Sequence, residues 1–493
     1  MAFCGLDMGT SGCKCAAIDP DGRELASSRR EYAFGGDGSG QAIAAEELWA
    51  AASGALREVR GLCAEPIEAL AVSSFGESFA LLDAEGGAMA PVLLYTDPRG
   101  AEWTGRIASR LGGGRIHGIC GVMPNAMYTL PKLLALAEGG GVDLGKVSLM
   151  LPIGPYIAYR LCGEAAVDHS LASRTMMMDR RALRWSDEVT GAMGVPGAML
   201  PAIAPPGTRL GRVSARAADE VGLTVGTVVA LGCHDQVAAA TGAGTLRPGS
   251  AVLGCGSVEC LTPAFGPEPK GMAVMRDCGF ALVPVRDGLH VTYAFAYAGG
   301  AAARWFGDAM APDLRDGPGG ALAALDASVG PEPSGILFAP HLSGAATPHM
   351  DPKARGALVG LSMGHGRGDL YRAVLEGVAY EMRLNVEALA KAGIKVGKVR
   401  AAGGGARSGV WMQIKADVLG MEIERAANPE VGAYGSALLA GLSVGGYASL
   451  GEAMGAAKAD GSVVPSGGAV AARYDELYAR YRRLYGAARK VMA

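Results

Sequence analysis

A carboxylate stands where a strand-like apolar run meets a helix of small residues, in the stretch VALGCHDQVA. Residues 229–233 have the composition of a buried strand, and Asp235 and Gln236 open the segment that follows. An acid at such a junction either caps the helix or projects from the strand end as a general base that accepts a proton from a hydroxyl group. The local sequence leaves both roles open.

A second set of chemically capable residues lies near the N-terminus, in the order Asp7, Gly9, Thr10, Ser11 and Lys14. Glycine lets the backbone turn sharply and present N–H groups to an anion, and the two hydroxyls add further donors. Asp7 could hold Mg²⁺ through water, and Lys14 adds a positive charge. An ordinary hairpin with a locally satisfied Asp7 explains the same residues.

A glycine-rich turn in the second half of the chain has the form expected near a nucleotide. Residues 399–402 are strand-like, and the three glycines at 403–405 precede a helix whose N-terminus would favour phosphate. Ser408 occupies the sixth position, so the segment does not match the GxGxxG fingerprint. A Walker A loop is also absent, because residues 140–146 are followed by Val147 instead of Ser or Thr. A tight turn without a ligand is the alternative.

Bulk composition bounds the class of protein. The chain has 493 residues, of which half are hydrophobic and 19% are charged, and its net charge is −3. A chain of this length should divide into two or three domains. The small net charge gives no electrostatic reason to expect a nucleic acid or an anionic membrane as partner.

The cysteines and histidines form no recognisable metal motif. No CxxC pair occurs among the ten cysteines, and the seven histidines are isolated. Buried, reduced thiols in a cytoplasmic protein are the better interpretation. We expect no secretion signal, and Pro152 and Pro155 interrupt the apolar run at residues 147–159, which argues against a membrane-spanning helix.

Strands and helices alternate along the chain, which indicates an α/β protein. Strand-like runs at residues 3–7 and 13–19 flank the Gly9 loop, and a helix is predicted at residues 44–62. A fainter copy of the first hairpin lies at residues 250–261, around Gly254-Cys255-Gly256-Ser257. Two similar halves with a cleft between them are the simplest account of this repeat.

Two apolar patterns in the last third of the chain predict helices. Residues 369–392 place Leu370, Val374 and Val378 on one face, with Asp369 as the N-cap. Towards the C-terminus an aromatic stripe at helical spacing is interpreted as a packing surface. Its members are Tyr474, Leu477, Tyr478, Tyr481, Leu484 and Tyr485.

The order of several motifs resembles the FGGY carbohydrate kinases, which belong to the actin/hexokinase/Hsp70 ATPase superfamily. Residues 356–376, GALVGLSMGHGRGDLYRAVLE, resemble the C-terminal signature of that family. The segments LSG at 342–344 with TPH at 347–349, and GGARS at 404–408 with the WxQxxAD that follows, resemble two further family segments. The resemblance covers essentially the whole chain.

This resemblance implies a fold and an activity. The implied fold is α/β, with two ribonuclease H-like, actin-type ATPase domains at residues 1–244 and 245–493 and a catalytic cleft between them. The implied activity is an ATP- and Mg²⁺-dependent kinase that phosphorylates a sugar or polyol. Kinases of this family are often dimers, so a homodimer is also an expectation of the resemblance.

Roles for individual residues follow from the same comparison of motifs. Asp235 falls on the catalytic base of the family, and Asp7 remains the candidate for holding Mg²⁺. Contacts with the sugar or polyol that accepts the phosphate, called the acceptor below, are expected at Glu77, Ser78, Asp97 and Gln236. Together with Lys14, the expected nucleotide contacts are Gly9, Thr10, Ser11, Gly256, Ser257, Gly300, Arg304, Gly404, Gly405 and Ala406.

Two short segments favour different acceptors. Glu77 resembles the acid of glycerol kinases, as does Gln236, and a carboxylate suits bidentate hydrogen bonding to vicinal hydroxyls. Residues 95–99, YTDPR, instead resemble the WNDxR stretch of xylulokinases, and Tyr128 does not fall where glycerol kinases place a tyrosine. We therefore expect a xylulose-like ketose, with glycerol or another polyol as the alternative.

Three departures from the family pattern leave the expected base untouched. Cys255 stands where the family usually has Thr in its second phosphate loop, which would give a weaker donor. Ala135 occupies a common Trp position, and the segment after Gln41 lacks an acid. Cys255 is the best support for a rival interpretation, a sugar- or nucleotide-binding regulator without catalysis. A structural protein on the same fold is a second rival, for which Glu77 would have no use.

Overall fold

The computed structural model describes residues 1–36, 40–316 and 319–492, and the chain folds into two compact units. The first unit comprises Met1–Leu246, Ala281–Val291 and Glu430–Ala457, and the second comprises Arg247–Phe280, Thr292–Pro429 and Lys458–Ala493. Two segments from the second half of the sequence therefore pack with the first unit. The division into family domains at residues 244 and 245 stays a prediction.

A mixed sheet forms the centre of the first unit. Its strands, in spatial order, are Arg209–Arg212, Val228–His234, Ile67–Ser74, Ala2–Met8, Gly12–Ile18 and Glu24–Glu31. The second, third and fourth of these run parallel, and the other neighbours are antiparallel. Parallel strands share the edge at which they end, and ligands bind at that edge in α/β sheets. Met8, Ser74 and His234 end the three parallel strands.

Helices with one apolar face cover this sheet. The predicted helix at residues 44–62 is observed as Ala45–Leu62, and Leu48, Ala52, Leu56 and Val59 on its inner face are buried. Two helices near the sheet edge, Asp235–Gly242 and Val431–Ser443, carry site residues. Further helices are Ala101–Leu111, Gly113–Cys120, Thr129–Glu138, Ile153–Cys162, His169–Ser173, Asp187–Met193, Ala215–Val221 and Leu450–Gly455.

The second unit repeats the pairing scheme of the first. Its strands, in spatial order, are Ala294–Ala296, Glu259–Phe265, Ser250–Cys255, Lys398–Ala402, Ile423–Ala426 and Ala459–Val463. Read in this order, the pairings are antiparallel, antiparallel, parallel, parallel and antiparallel. The first unit shows the same succession when it is read from Glu24–Glu31. The repeat predicted from the hairpin at residues 250–261 is therefore confirmed.

The long helix of the second unit begins earlier than predicted. It spans Arg367–Ala392, Gly366 occupies the cap position, and the Asp369 carboxylate accepts the Gly366 N–H at 2.8 Å from within the first turn. The prediction that Asp369 is the N-cap was therefore wrong. The physical reason is that a carboxylate three residues into a helix can reach back to the cap N–H and satisfy the same end.

The aromatic stripe near the C-terminus packs as predicted. Tyr474, Leu477, Tyr478, Tyr481 and Leu484 are buried in the core of the second unit, while Tyr485 is partly exposed. Further helices of this unit are Met272–Asp277, Gly300–Met310, Gly320–Ser328, Gly409–Leu419, Gly468–Tyr481 and Leu484–Met492.

Short strand pairs complete the described structure. They are Gln41–Ile43 with Gly35–Gly36 and Val92–Leu93, Phe79–Leu82 with Leu149–Pro152, Ala166–Asp168 with Ala202–Ala204, Met178–Asp179 with Arg184–Trp185, Val283–Arg286 with Leu289–Val291, and Leu337–Ala339 with Ala357–Val359. The apolar run at residues 147–159 forms a strand and part of the helix Ile153–Cys162. None of the helices in the described ranges has the length and apolarity that a bilayer crossing needs.

Candidate active site

Neighbouring parallel strands bring two of the predicted acids to one edge of the first sheet. Asp7 lies opposite Ser73 in the register, and the Ser73 hydroxyl donates to Asp7 Oδ1 at 2.6 Å. Asp235 follows His234, which lies opposite Ser74. Asp7, near the end of one strand, and Asp235, directly after the end of another, therefore lie at the edge where sheets of this kind bind ligands.

A β-bulge precedes Asp235 and sets where the strand ends. Leu231 pairs with Val72 and His234 pairs with Ser74, so one strand has an extra residue between the two pairs. The bulge requires glycine at position 232, because a Cβ there would overlap the Val72 carbonyl oxygen. The helix Asp235–Gly242 then begins at once, with His234 as the cap residue. Asp235 is the first helical residue, so the capping alternative from the sequence is wrong.

The Asp235 side chain is partly buried near other acids, and 29% of its surface is exposed. Its Oδ1 atom is inaccessible and accepts no hydrogen bond from the described residues. Burial, and then the charges of Asp7 and Glu77, raise the pKa of Asp235 to about 8, and hydrogen bonds from Gln236 offset only part of this. His234 Nδ1 lies 3.3 Å from Asp235 Oδ1, and burial and then the charge of Arg174 hold the pKa of His234 well below its usual value. This carboxyl can accept a proton once it is ionised.

The raised pKa of Asp235 predicts a pH-dependent stability difference. The folded pKa of about 8 lies above the ordinary value of 3.8, so the protonated carboxyl stabilises the fold fully below pH 4 and this contribution is lost as the pH rises through 8. Asparagine does not ionise, so Asp235→Asn does not lose stability in this way as the pH rises. Without ligands, the melting temperature of the variant relative to wild type should therefore increase from pH 5 to pH 9.

Thermal melts across that pH range check the prediction. Asp143→Asn is the matched control, because the Asp143 side chain is 63% exposed. Its melting profile should run parallel to that of wild type. A parallel profile for Asp235→Asn as well would contradict the raised pKa.

Asp7 lies against the first turn of the helix Val431–Ser443. A Cβ at Gly432 would overlap Asp7 Oδ2, so the close approach of this helix requires glycine at that position. Burial raises the pKa of Asp7, while the Ser73 hydrogen bond and Lys14 lower it. Lys14 is opposite Asp7 in the hairpin and also forms an ion pair with Glu430. The positive charge that the sequence predicted for the first loop is therefore shared with Glu430.

Substituting Gly432→Ala should displace the Asp7 carboxylate without changing any charge. If Asp7 contributes to catalysis, a displacement of about 1 Å is expected to cost about a hundredfold in turnover. Steady-state kinetics of the purified variant measure this loss. The control is Gly61→Ala, because a Cβ at Gly61 meets no atom within 4 Å. Equal activity of both variants would remove Asp7 from the active arrangement.

The loop that follows Asp7 is a tight, accessible turn. The Gly9 N–H donates to the Gly12 carbonyl oxygen at 2.9 Å, and the Tyr32 hydroxyl donates to the Gly9 carbonyl. Thr10 and Ser11 are exposed at its tip. Their hydroxyls are therefore accessible to an anion, as the candidate phosphate loop requires.

Glu77 adopts an unusual backbone conformation. Its φ is +68°, and the Ser78 N–H donates to the Gly76 carbonyl at 2.8 Å across a three-residue turn. A left-handed φ costs a non-glycine residue about 1–3 kcal/mol, and such residues cluster at functional sites, where the surroundings hold them in place. This strain supports a functional role for Glu77.

Glu77 is paired with Arg174, a residue that the sequence analysis missed. Arg174 Nε donates to Glu77 Oε1 at 2.5 Å, and both side chains are buried. The guanidinium carbon lies 4.9 Å from the centroid of the Tyr128 ring. Arg174 follows the short helix His169–Ser173, and no spacing rule links it to a glutamate 97 residues earlier. Only the fold reveals this pair.

Two more polar groups lie near the Glu77 turn. The Ser78 hydroxyl is buried and has no hydrogen-bond partner within the described ranges, as expected where a polar ligand completes a site. Lys132 is fully buried, and its ammonium donates to the Ala126 carbonyl at 2.9 Å. Burial lowers the pKa of Lys132 to about 8, although the charges of Glu77 and then Asp97 raise it.

Asp97 is already engaged by neighbouring donors. Its Oδ1 accepts the Arg99 N–H at 3.0 Å and Arg99 Nε at 2.9 Å, and its Oδ2 accepts the Gln41 N–H at 2.8 Å and Arg99 Nη2 at 2.7 Å. Burial raises the pKa of Asp97, but the hydrogen bonds from Arg99 and Gln41 outweigh it, so the net pKa is lowered. The contact of Asp97 with the sugar or polyol stays a prediction. It would require a substrate hydroxyl to replace one of the hydrogen bonds from Arg99 or Gln41.

In the second unit, helix Gly300–Met310 holds the turn at Gly256 and Ser257. The Gly300 N–H donates to the Gly256 carbonyl at 2.8 Å, and the Gly299 and Ala301 N–H groups donate to the Ser257 carbonyl at 3.0 Å each. Arg304 Nη2 donates to the Ser257 hydroxyl at 2.7 Å. The structure thus brings together four predicted nucleotide residues, Gly256, Ser257, Gly300 and Arg304.

The glycine turn at residues 403–405 packs against the same hairpin. A Cβ at Gly405 would lie 3.1 Å from Cys255 Cβ, and a Cβ at Gly403 would lie 3.1 Å from the Cys255 carbonyl oxygen. Gly404 is exposed, and Ala406 is buried in the short 3₁₀ turn Gly404–Arg407. The two predicted nucleotide turns of this unit are therefore neighbours.

Cys255 does not act as the weak phosphate donor that the sequence suggested. It is the last residue of the strand Ser250–Cys255, its side chain is 1% exposed, and its thiol contacts Lys415 and Glu259. A strand reverses the direction of its side chains at each residue, so the thiol faces the interior while the turn that follows is exposed. The expected weakening of phosphate binding by this thiol therefore has no structural basis.

Comparisons with known proteins show the family to which the chain belongs. Residues 2–242 match the model described as "FGGY family of carbohydrate kinases, N-terminal domain", and residues 278–444 match the corresponding C-terminal domain. The chain is 29% identical to the xylulose kinase of Escherichia coli (strain K12), with 98% of each chain covered. It is 30% identical to the glycerol kinase of Gloeobacter violaceus, with 93% of this chain and 91% of that one covered.

Solved structures show the same two-domain fold of the actin-like ATPases. The crystal structure titled "xyloylose kinase" from Brucella ovis superposes with a TM-score of 0.89 over 100% of both chains, at 26% identity. The α/β architecture expected from the sequence is therefore confirmed.

Proposed function

The chain belongs to the FGGY family of carbohydrate kinases, and from this premise we propose that it transfers the γ-phosphate of ATP to a primary hydroxyl of a xylulose-like ketose. The observation that carries the proposal is Asp235. Its partly buried carboxyl has a buried oxygen without a hydrogen-bond partner in the described chain and a pKa of about 8, and it follows a strand end beside Asp7. This is the environment that a general base for a hydroxyl group needs.

The acceptor binds through groups around the Glu77 turn. The Glu77 carboxylate accepts hydrogen bonds from sugar hydroxyls, and the Ser78 hydroxyl supplies a buried group without a partner in the described ranges. Gln236, next to the base, orients the hydroxyl that reacts. Asp97 keeps the segment of Gln41 in place through its hydrogen bonds and meets the acceptor from there.

ATP is assigned to the turns that present N–H groups and hydroxyls. In the first unit these are Gly9, Thr10 and Ser11, with Lys14 nearby. In the second unit Arg304 and the turn at Gly256 contact phosphate, and the turn Gly404–Arg407 contacts adenosine. Glycine at these positions lets the backbone approach the nucleotide closely.

Asp7 fits a Mg²⁺ site. Mg²⁺ prefers oxygen ligands, keeps several waters and uses one or two protein carboxylates, and Asp7 is a partly buried carboxylate at the edge where the strands end. No cluster of three or more potential metal ligands occurs among residues 1–36, 40–316 and 319–492. When bound, Mg²⁺ would neutralise charge on the phosphates. Ser73 fixes the orientation of the Asp7 carboxylate.

Proton transfer then takes place at the Asp235 carboxylate. This group accepts the proton of the substrate hydroxyl as the hydroxyl oxygen attacks the γ-phosphorus in line and ADP leaves. Because the pKa of Asp235 is about 8 in the ligand-free protein, the rate should rise with pH as this carboxyl ionises.

A polyol kinase is the second candidate, and the Glu77–Arg174 pair is equally compatible with it. A carboxylate and a guanidinium side by side offer an acceptor and donors to two vicinal hydroxyls, which glycerol and ketoses share. Glycerol and a five-carbon ketose would therefore be bound by the same pair, and they differ in size.

A panel of acceptors tests the proposal. Coupled ADP release is measured with MgATP and individual ketoses, aldoses and polyols. The expected result is release that depends on an added ketose, with the highest kcat/KM for a five-carbon ketose. Preference for glycerol or another polyol would replace the ketose assignment. Nucleotide binding without release for any acceptor would contradict the kinase mechanism.

A further inference from the structure

A buried charged cluster lies next to the glycine turns of the second unit, and none of the steps above uses it. Lys415 Nζ lies 2.5 Å from Glu259 Oε1 and 3.2 Å from Cys255 Sγ. None of the three side chains is more than 1% exposed. The same ammonium group lies 3.9 Å from the centroid of the Trp411 ring.

Stability alone does not explain this cluster. Removing two charges from water is costly, and apolar side chains of similar volume often stabilise a core as well as a buried ion pair does. Glu259 Oε2 is also buried without a hydrogen-bond partner in the described part of the chain. A buried ion pair that is only partly satisfied is better explained by what it holds in place.

The members of the cluster lie on both nucleotide turns. Glu259 pairs with Cys255 in the register and closes the turn at residues 256–258. A Cβ at Gly405 would lie 3.0 Å from Trp411 Cζ3, so Trp411 supports the second turn. Lys415 and Trp411 both belong to the helix Gly409–Leu419, which directly follows that turn. Lys415 therefore links the helix after one turn to the hairpin that forms the other.

We propose that Lys415 is a positioning residue for the nucleotide, because its ion pair with Glu259 fixes the two turns against each other and cancels a buried negative charge beside the phosphate site. The inference rests on the proposed nucleotide role of these turns. Burial raises the pKa of the Cys255 thiol to about 12, so the thiol adds no negative charge beside the Lys415–Glu259 ion pair.

The test measures nucleotide binding in two variants of the full chain. Calorimetric titration with MgADP should show a Kd raised about tenfold to a hundredfold in Lys415→Met, with acceptor affinity unchanged. The double variant Lys415→Met/Glu259→Gln removes the uncompensated carboxylate. It should bind MgADP more tightly than the single variant but more weakly than wild type.

A second buried ion pair in the same unit provides the control. Arg372 Nε lies 2.7 Å from Glu376 Oε1, both side chains are buried, and Arg372 also contacts Tyr474 away from the glycine turns. Arg372→Met should lower the melting temperature and leave the Kd for MgADP as in wild type. If Lys415 had only a structural role, Lys415→Met would likewise lower the melting temperature and leave the Kd for MgADP as in wild type.

The outcomes separate the inference from the function on which it rests. Wild-type protein that does not bind MgADP contradicts the proposed nucleotide site itself. Wild-type affinity in Lys415→Met overturns the role of Lys415 alone. If Lys415→Met does not fold, the double variant decides, because its buried charges are gone; wild-type affinity in that variant also overturns the inference.

Discussion

Replacing Asp235 by asparagine should lower kcat by about 10²–10⁴-fold, the range that general base catalysis contributes. Asparagine keeps the size of the side chain but cannot accept the proton from the acceptor hydroxyl. Replacing the partly buried acid near Asp7 and Glu77 also lowers the electrostatic repulsion among them, so the fold should not be weakened. Steady-state kinetics at saturating MgATP and acceptor measure the loss, and calorimetry should show that both ligands still bind.

The pH dependence of kcat/KM provides an independent check of the same role. In wild type the rate should rise as Asp235 ionises, with an ascending limb governed by its raised pKa. The residual rate of Asp235→Asn should lack this limb. Turnover of the variant close to that of wild type would remove Asp235 from the role of base.

The second large effect is expected at Glu77. Glu77→Gln leaves Arg174 buried without a negatively charged partner and replaces one of the two oxygens that accept hydrogen bonds from sugar hydroxyls with an NH₂ donor. We expect kcat/KM for the acceptor to fall about a hundredfold, because truncating one partner of a buried charged pair typically costs about 2–5 kcal/mol. The KM for ATP should stay unchanged. Initial rates with each substrate varied in turn separate the two constants.

Glu138→Gln is the matched control for this substitution. Glu138 also pairs with an arginine, Arg106, but both side chains are about half exposed. Exposed pairs contribute little to stability or binding. Similar kinetics of the Glu77 and Glu138 variants would show that Glu77 does not contact the acceptor.

Local patterns were sufficient to predict the elements that carry the candidate site. The hairpin around Gly9, the strand before Asp235 and the repeated hairpin at residues 250–261 were all predicted, because apolar alternation and glycine turns depend on neighbouring residues. The helix at residues 44–62 was predicted within one residue for the same reason.

Contacts between distant segments could not be predicted in this way. Arg174 reaches Glu77, Gly432 lies against Asp7, and Lys415 reaches Cys255 from 160 residues away. Each pair depends on how whole elements pack, and neither residue of a pair carries a local sign of the other. The first unit also includes the segment Glu430–Ala457, which lies far in the sequence from Met1–Leu246.

The buried position of Cys255 is a second feature that could not be predicted from the sequence. Sequence comparison compares side-chain types at matched positions, and Cys in place of Thr suggests a weaker phosphate ligand. The structure shows that the thiol faces a buried lysine and glutamate instead. A substitution within a motif can therefore change what lies behind the site without changing the groups that the site presents.

Direct identification of the product tests the central claim most directly. Wild-type protein and Asp235→Asn are incubated with MgATP and the best acceptor, and the products are followed by ³¹P nuclear magnetic resonance and mass spectrometry. We predict one phosphomonoester on a primary hydroxyl per ADP with wild type, and formation of this product about 10²–10⁴-fold more slowly with the variant. Inorganic phosphate in place of a sugar phosphate, or phosphomonoester formed by Asp235→Asn at the wild-type rate, would contradict the claim.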